Sequence, residues 1–454
     1  MKKSPCRVNA QCTFSISSKT GRNCTQDQHK APHHILQPQT KTRRLGSASA
    51  FTLALALTFA FLISCAEKPV QNQPLEMEKA TWSEIKSAAK NSKVTLTMWQ
   101  GDPFINAYMS DYVVPAVRDS FGIELIIANG QGNFIVQSLM AELQAGKEQS
   151  ALDMIWINGE TFYQLRQIDA LHGPWVEKLP NAQYIDFENP FIGTDFQQPV
   201  DGYECPWGNV QMAIIYNSEK VPQPPMTRID LLSFVQANPG KFTFDNHFTG
   251  LTFMKGLLID FAGGGDALSG PFDKEKYARF SRELWNYIRE IKPFLWKQGN
   301  TFPESVAPMH QMFANGELWF TMSNNDSEVD NKISQGLFPL SAKAYVPSFG
   351  TIQNSHFMGI TKNASNKAGA MVVINFLISL EAQLKKADPE IWGDGTVLSM
   401  DKIPIDWKQK FEQIPGRKNA PPRSEIQQYA LIELAPEYMI RLAEDFQTYV
   451  VQNN

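Results

Sequence analysis

The fold is decided by the run VTLTMWQGDPF at residues 94–104. Its first six residues alternate between β-branched and apolar side chains, which predicts a strand, and the glycine and proline that follow predict a turn. A helical pattern then extends over residues 104–120. The same order of strand, turn and helix returns at residues 123–144 and 151–170. Three such units in succession predict an α/β fold in which parallel strands are covered by helices on both faces.

The turns after these three strands are rich in glycine and in amide side chains. Their sequences are WQGD at 99–102, NGQGN at 129–133 and NGET at 158–161. Ligands of parallel sheets bind at the carboxyl ends of the strands, where glycine lets the backbone approach and amides both donate and accept hydrogen bonds. Asparagine and glycine are also the commonest turn formers, so a purely structural role stays open. The candidate binding residues from these turns are Trp99, Gln100, Asp102, Gln131, Asn158 and Glu160.

Ahead of the first unit lies an uncharged apolar run, LALALTFAFLISC, at residues 53–65. It follows basic residues at positions 41, 43 and 44, and this order is typical of a secretion signal. Its end, with a branched residue three before Cys65 and a serine just before it, resembles the bacterial lipobox. That resemblance implies cleavage before Cys65, diacylglycerol on its thiol, and a lipid anchor. The alternative is an ordinary transmembrane anchor, because residues 45–65 nearly span a bilayer.

Cleavage after residue 64 changes the charge of the protein. Residues 1–64 carry nine of the 42 basic residues and one of the 46 acidic ones, which leaves 33 and 45 and a formal charge of −12. Nucleic acid is therefore disfavoured as a partner, since phosphate binding needs a basic surface. With Cys65 acylated, Cys205 has no partner for an internal disulfide. Residues 1–40 show no periodicity, and we expect translation to begin after them.

The second half of the chain carries a different pattern. Residues 204–208 lead into a predicted strand at 210–217, which ends in Asn-Ser, and a helix over 228–237 follows, with Thr227 placed as its cap. The run 204–217 resembles the crossover strand of bacterial extracellular solute-binding proteins, where the chain passes from one lobe to the other. Further segments are similar to the helix and strand of that family's second lobe, its returning crossover and the helix after it; they are residues 309–323, 345–351, 357–364 and 367–383.

The likeness extends over residues 93 to about 400, and the nearest branch is that of thiamine and iron binders, in a subgroup of transport proteins. It implies a type II periplasmic-binding-protein fold: two α/β lobes, joined by two hinge crossovers, that close around a solute. About 390 residues suit two lobes. The predicted division is a leader at 1–64, a tether at 65–90, one lobe from 91–207 and 352–398, and a second from 208–351 and 399–454.

The resemblance adds four candidate binding residues, which are Trp207, Asn324, Asp326 and Thr351. It places Trp99 and Trp207 at turns on the cleft, where an indole stacks on an organic ring or a cation; packing as core or cleft wall is the equal alternative. The sequence contains no adjacent tyrosine pair of the kind that ferric-ion binders use, and its mature histidines lack metal-ligand spacing. The expected solute is therefore thiamine-like or another organic compound, with no metal and no cofactor.

The same resemblance implies an ABC permease and ATPase as partners, a location in the periplasm or at the cell surface, and a monomer. Two other functions stay open at this point. A secreted hydrolase would need a nucleophile or an acid pair, and no G-x-S-x-G, H-E-x-x-H or C-x-x-C motif follows residue 64, although a pair of carboxylates serves glycosidases. The third possibility is a structural surface lipoprotein that binds no solute. For the end of the chain, residues 404–415 predict a loop, and 424–434 and 435–450 predict helices.

Overall fold

The computed structural model of the protein describes residues 75–452. The predicted leader, Cys65 and the first part of the predicted tether lie outside these residues. Within the described range, no single helix is long and apolar enough to cross a membrane, and one bent pair, residues 367–377 with 380–387, qualifies by length and composition only.

The described strands are β1 (Lys93–Met98), β2 (Glu124–Asn129), β3 (Met154–Ile157), β4 (Thr194–Asp195), β5 (Gln198–Pro199), β6 (Glu204–Gln211), β7 (Ala213–Asn217), β8 (Phe320–Ser323), β9 (Ala342–Tyr345), β10 (Thr351–Ile360) and β11 (Ala430–Ile432). The α-helices are α1 (Trp82–Ala89), α2 (Pro103–Ala107), α3 (Val114–Phe121), α4 (Gly132–Gln144), α5 (Gly159–Gln167), α6 (Arg228–Ala237), α7 (Phe248–Phe261), α8 (Lys274–Ile291), α9 (Val306–Ala314), α10 (Glu328–Ser334), α11 (Lys367–Leu377), α12 (Leu380–Ala387), α13 (Ile405–Glu412), α14 (Arg423–Ile426) and α15 (Pro436–Phe446).

The first body is built on a sheet with the order β11-β10-β3-β1-β2, in which β6 pairs with the other edge of β10. Strand β1 runs parallel to β2 and β3, which confirms the three parallel strand–helix units. The sheet as a whole is mixed, because β10 is antiparallel to both β3 and β6. This reversal arises because β10 re-enters the sheet from the opposite end, after the chain has built another layer. The core of this body surrounds Leu96 and Ile155, which are fully buried.

The second body is built on the antiparallel sheet β8-β7-β9. Its core surrounds Phe320 and Phe313 and includes apolar residues of α6 to α9 and of α15. Helix α6 spans the predicted residues, and Thr227 forms the predicted cap, with its hydroxyl accepting from the Asp230 N–H and the Asp230 carboxylate accepting from the Thr227 N–H. This reciprocal capping fixes the helix start locally.

The chain passes between the two bodies at Met212, which separates β6 from β7, and again between β9 and β10. A third passage, which was predicted at residue 398, lies later in the chain. Residues 403–411, including α13, pack on the first core, whereas Ala420 lies in the core of the second body. This passage therefore follows residue 412 and not the predicted boundary at residue 398. The predicted loop at 404–415 is wrong, because Trp407 and Phe411 give α13 an apolar side that packs on the first core.

Three other predictions need correction. The tether at 65–90 ends earlier than expected, because residues 82–89 form α1, which is capped by Thr81 and buries Ile85 in the first core. The predicted helix 104–120 is divided into α2, a π-helical turn (Tyr108–Val113) and α3, near whose start Pro115 lacks the N–H that an uninterrupted α-helix would use. The predicted helix 424–434 ends at Ile426, and residues 430–432 instead pair with β10 as β11.

Candidate functional site

The three glycine- and amide-rich turns lie together at one edge of the first sheet. Met98, the last residue of β1, is paired with Asn129 at the end of β2, and Leu96 is paired with Met154 of β3, so the carboxyl ends are aligned. The second and third turns are neighbours, since a Cβ on Gly132 would lie 3.9 Å from the Thr161 hydroxyl. The structure therefore brings Trp99, Gln100, Gln131, Asn158 and Glu160 to one edge, where all but the exposed Gln131 are partly buried.

Asp102, by contrast, is committed to contacts within the protein. One carboxylate oxygen accepts the N–H groups of Phe104 and Ile105 at the start of α2, and the other accepts from Lys332 at 2.6 Å. Lys332 also pairs with Glu328 at 3.2 Å. Burial opposes the charge of Lys332, but Glu328 and then Asp102 outweigh it and raise the pKa of this ammonium. Because Asp102 belongs to the first body and Lys332 to the second, this ion pair joins the two.

Two more contacts lie beside this ion pair. The Asn331 amide donates to the carbonyl oxygen of Trp392 at 2.7 Å, and Arg423 donates to the carbonyl oxygen of Gly393 at 3.0 Å. These contacts and the Asp102–Lys332 pair form a junction between the two bodies, which we call the seam. Its first-body side includes Asp102 of the first candidate turn, so this turn lies next to the second body.

The turn after β8 was predicted to face the ligand. The Asn324 amide donates to the Thr249 hydroxyl at 3.1 Å and is partly buried. Asp326 is 2% exposed and accepts from Arg423 Nε at 2.9 Å and from Arg417. Burial would raise the pKa of Asp326, but the two guanidinium groups hold it below its usual range. The negative charge of Asp326 is thus neutralised by the protein itself.

Thr351 lies where the chain returns to the first body. It is buried, and its hydroxyl accepts from the Gln211 side chain at 3.1 Å. The same Gln211 amide donates to the carbonyl oxygen of Ile426 at 3.3 Å. Thr351 and Gln211 therefore join the two predicted crossovers to each other.

The predicted position of Trp207 is wrong. It lies inside β6 and not in a turn, and its side chain is fully buried. Its ring packs against Trp156, His356 and Trp392, with ring centroids 5.0 to 5.3 Å apart. Trp207 is therefore a core residue, which was the alternative given equal weight in the prediction. Trp99 is only partly buried at the end of β1 and keeps the predicted position.

A buried charge cluster that was not predicted from the sequence lies beside the third turn. Lys255, in the middle of α7, is fully buried and pairs with Glu433 at 2.7 Å. Burial is the main influence on Lys255 and lowers its pKa, although Glu433 opposes this. The carboxylates of Asp195 and Glu204 are also buried nearby. A signal for Lys255 was present, since it is a single cation within the apolar run FTGLTFMKGLLIDF.

Within residues 75–452, no group of three or more histidine, cysteine, aspartate or glutamate side chains is arranged to hold a metal ion. The one cysteine in this range, Cys205, is buried and has a free thiol. Asp102, Asp326 and Glu433 are instead paired with lysines or arginines, and Asp195 accepts from the Gly159 N–H. This part of the chain thus offers hydrogen bonds, aromatic faces and a few carboxylates to a ligand.

Comparison with known proteins identifies the family. Residues 113–400 match the sequence profile of the bacterial extracellular solute-binding proteins. The chain belongs to this family. It is also 36% identical over 342 residues to protein YnjB of Escherichia coli K12, a match that covers 74% of this chain and 88% of YnjB.

Solved structures show the same fold. PotD, a spermidine/putrescine ABC transporter substrate-binding protein from Streptococcus pneumoniae, is similar with a TM-score of 0.55 and 15% identity over 79% of this chain and 99% of PotD. The TpPotD lipoprotein of Treponema pallidum gives a TM-score of 0.56 and 13% identity over 79% and 99% of the two chains. The two bodies are thus the two lobes of a periplasmic binding protein. The family places the protein in the periplasm or at the cell surface, in transport and not in enzymatic catalysis.

Proposed function

We propose that the protein is the extracytoplasmic solute-binding component of an ABC importer that closes by a hinge motion around a small solute at the seam. The observation that carries this proposal is the Asp102–Lys332 pair, which ties the first candidate turn to the other lobe at 2.6 Å. Asp102 follows β1 in one lobe and contacts Lys332 of the other, so formation of this ion pair indicates that the lobes are closed. Hinge closure then amounts to a shift of an open–closed equilibrium by the solute. The closed form docks on a permease that an ATPase drives.

The solute that we propose is organic, thiamine-like in carrying a ring or a cationic group. Trp99 supplies a partly exposed indole face for such a group. Asp102 and Asp326 are neutralised by lysine and arginine, so Glu160, whose carboxylate accepts from the Gln164 side chain at 3.0 Å, is the candidate acid for a cation. Gln100, Gln131, Asn158 and Asn324 supply amide hydrogen bonds around the ring.

The test is a thermal-shift screen of the full chain against a library of vitamins, amines, amino acids and sugars, together with mass spectrometry of small molecules released on denaturation. A binding solute raises Tm by mass action. Fluorescence titration of Trp99→Phe then tests the stacking, and Trp207→Phe is the matched control because its indole is sealed in the core. We expect the ligand-dependent fluorescence change to shrink in the first variant and to persist in the second. Turnover of any compound, or no stabilisation by any, would contradict the proposal.

We also propose a lipid anchor on Cys65, on the strength of the sequence motif, and a monomeric state. Growth with a labelled fatty acid is expected to label the wild-type protein and to leave Cys65→Ser unlabelled. Static light scattering of the detergent-extracted protein checks the monomer, for which the expected mass is that of one chain. Label on the Cys65→Ser variant, or a dimer mass at micromolar concentration, would contradict these two points.

A further inference from the structure

The hairpin of β4 and β5 connects the two lobes in addition to the chain crossings. Its base belongs to the first lobe, where Ile192 lies in the core around Leu96 and Val200 lies in the core around Ile155. One backbone ladder, Thr194 with Pro199 and Asp195 with Gln198, holds the hairpin together. Two residues, Phe196 and Gln197, form its tip.

The tip enters the second lobe. Phe196 is 2% exposed and is a member of that lobe's core, and the Lys255 ammonium lies 4.4 Å from the centre of its ring. The Gln197 side chain donates to the carbonyl oxygen of Glu433 at 2.9 Å and accepts from the Gly270 N–H at 2.5 Å. Both tip residues have positive φ, 47° and 60°, a conformation that is rare for a phenylalanine. The surrounding contacts must therefore hold it.

The same tip touches the third candidate turn. The Gly159 N–H donates to the Asp195 carboxylate, and Gly159 is the first residue of α5. The Phe196 ring lies directly against the Gly159 backbone, because a Cβ on that glycine would overlap ring atoms. Gly159 also has a φ of +37°, so two independent features require glycine at this position. The turn thus contacts both Asp195 and Phe196, and Phe196 packs in the core of the second lobe.

We propose that Asp195 and Phe196 are positioning residues that couple the Asn158–Glu160 turn to the second lobe. Closure of the lobes and the geometry of this turn then change together. A solute that contacts the turn therefore changes the surroundings of Lys255 and Glu433, although it contacts neither residue. This proposal rests on the proposed function only in taking residues 158–160 as a solute-contacting turn.

The test is hydrogen–deuterium exchange of the full chain without any solute, in wild type, Phe196→Ala and Ile192→Ala. Both variants truncate a buried apolar side chain of the hairpin, one at the tip and one at the base. Exchange reports local opening. In Phe196→Ala we expect faster exchange, by about tenfold or more, both at the start of α5 and at the start of α15, with α11 and α9 unchanged. In Ile192→Ala we expect faster exchange in the first lobe only.

Two further variants keep the test decisive. Asp195→Ala removes the acceptor of the Gly159 N–H and is expected to speed exchange at that amide and at residues 433–438. If Phe196→Ala does not fold, Phe196→Leu takes its place, with the same paired pattern at smaller size. Faster exchange in the second lobe alone, or uniformly throughout the chain, would overturn the coupling and leave Phe196 as an ordinary core residue. Because no solute is added, this result is independent of the solute screen, and the two proposals fail separately.

Discussion

Replacing Glu204 by glutamine is expected to make the protein more stable at alkaline pH relative to wild type. Glu204 is fully buried in β6, and neither of its carboxylate oxygens has a hydrogen-bond partner among residues 75–452. Burial, with a smaller contribution from Asp195, raises its pKa well above the usual value, while Arg166 acts in the opposite direction. The folded protein thus holds a proton that the unfolded chain releases above a pH of about 4.3.

The sign and the size follow from this proton. Since the folded state binds more protons than the unfolded state, the contribution of Glu204 is fully present below about pH 4.3 and is lost as pH rises through the raised pKa of the folded state. One proton changes the free energy of unfolding by at most about 1.4 kcal/mol per pH unit. Between pH 5 and pH 8 the ionisation of Glu204 therefore lowers the free energy of unfolding of the wild type by at most about 4 kcal/mol. The effect is expected to be large because the buried carboxylate has no hydrogen bond from the described part of the chain to stabilise its charged form.

The assay is urea denaturation of wild type and Glu204→Gln at pH 5, 6, 7 and 8. Glutamine keeps the size of the side chain and cannot ionise. The free energy of unfolding of the variant, relative to that of the wild type, is therefore expected to increase steadily as pH rises. Glu177→Gln, which changes an exposed glutamate, is the matched control and should follow the wild type. Equal pH dependence in Glu204→Gln and wild type would refute the reasoning. A loss by the variant at high pH would instead mean that Glu204 is ionised and paired with Arg166.

Three other predictions concern particular contacts. Lys332→Met is expected to destabilise the protein by about 3–5 kcal/mol, since it leaves the buried carboxylate of Asp102 without its ammonium partner. Asp102→Asn is expected to cost less, since Glu328 still pairs with Lys332. A double-mutant cycle should give a coupling energy above about 1 kcal/mol, and additive losses would show that the seam pair is not formed. Thr227→Ala should cost about 1 kcal/mol of the free energy of unfolding through loss of the α6 cap, and Thr227→Ser should restore most of it; an unchanged urea midpoint would contradict the capping box. Burial raises the pKa of the Cys205 thiol beyond the physiological range, so peptide mapping should find it alkylated only after denaturation, and rapid native alkylation would contradict its burial.

Local patterns predicted much of the first lobe. The three parallel strands, their helices and their glycine-amide turns were predicted because strand alternation, turn residues and helix periodicity each act over a few neighbouring residues. The cap at Thr227 is equally local. The predicted single helix 367–383 is instead two helices, α11 and α12, which meet where Ser379 caps the second. A serine inside a helical pattern permits either outcome, and packing in the first core decided between them.

The binding candidates divide in the same way. Sequence placed Gln100, Gln131 and Asn158 at one edge of a sheet, because residues that end parallel strands must meet there. It did not distinguish Trp99 from Trp207, because the neighbouring residues do not show whether a tryptophan lies at the end of a strand or inside one that other layers cover. Burial is set by which layers cover a strand, and only the packing of Trp156, Trp392 and His356 decided it for Trp207.

By itself, the sequence determined the α/β class, the apolar run before Cys65, the turn chemistry and the resemblance to solute-binding proteins, because these depend on residues close together in the chain. Only the tertiary structure decided which charges are paired. Asp102 meets Lys332 across 230 positions, and Lys255 meets Glu433 across 178. A carboxylate next to a candidate turn looks the same in sequence whether it is free for a solute or neutralised by a distant lysine. The difference lies in electrostatic energy, which depends on distance in space and on burial rather than on separation along the chain.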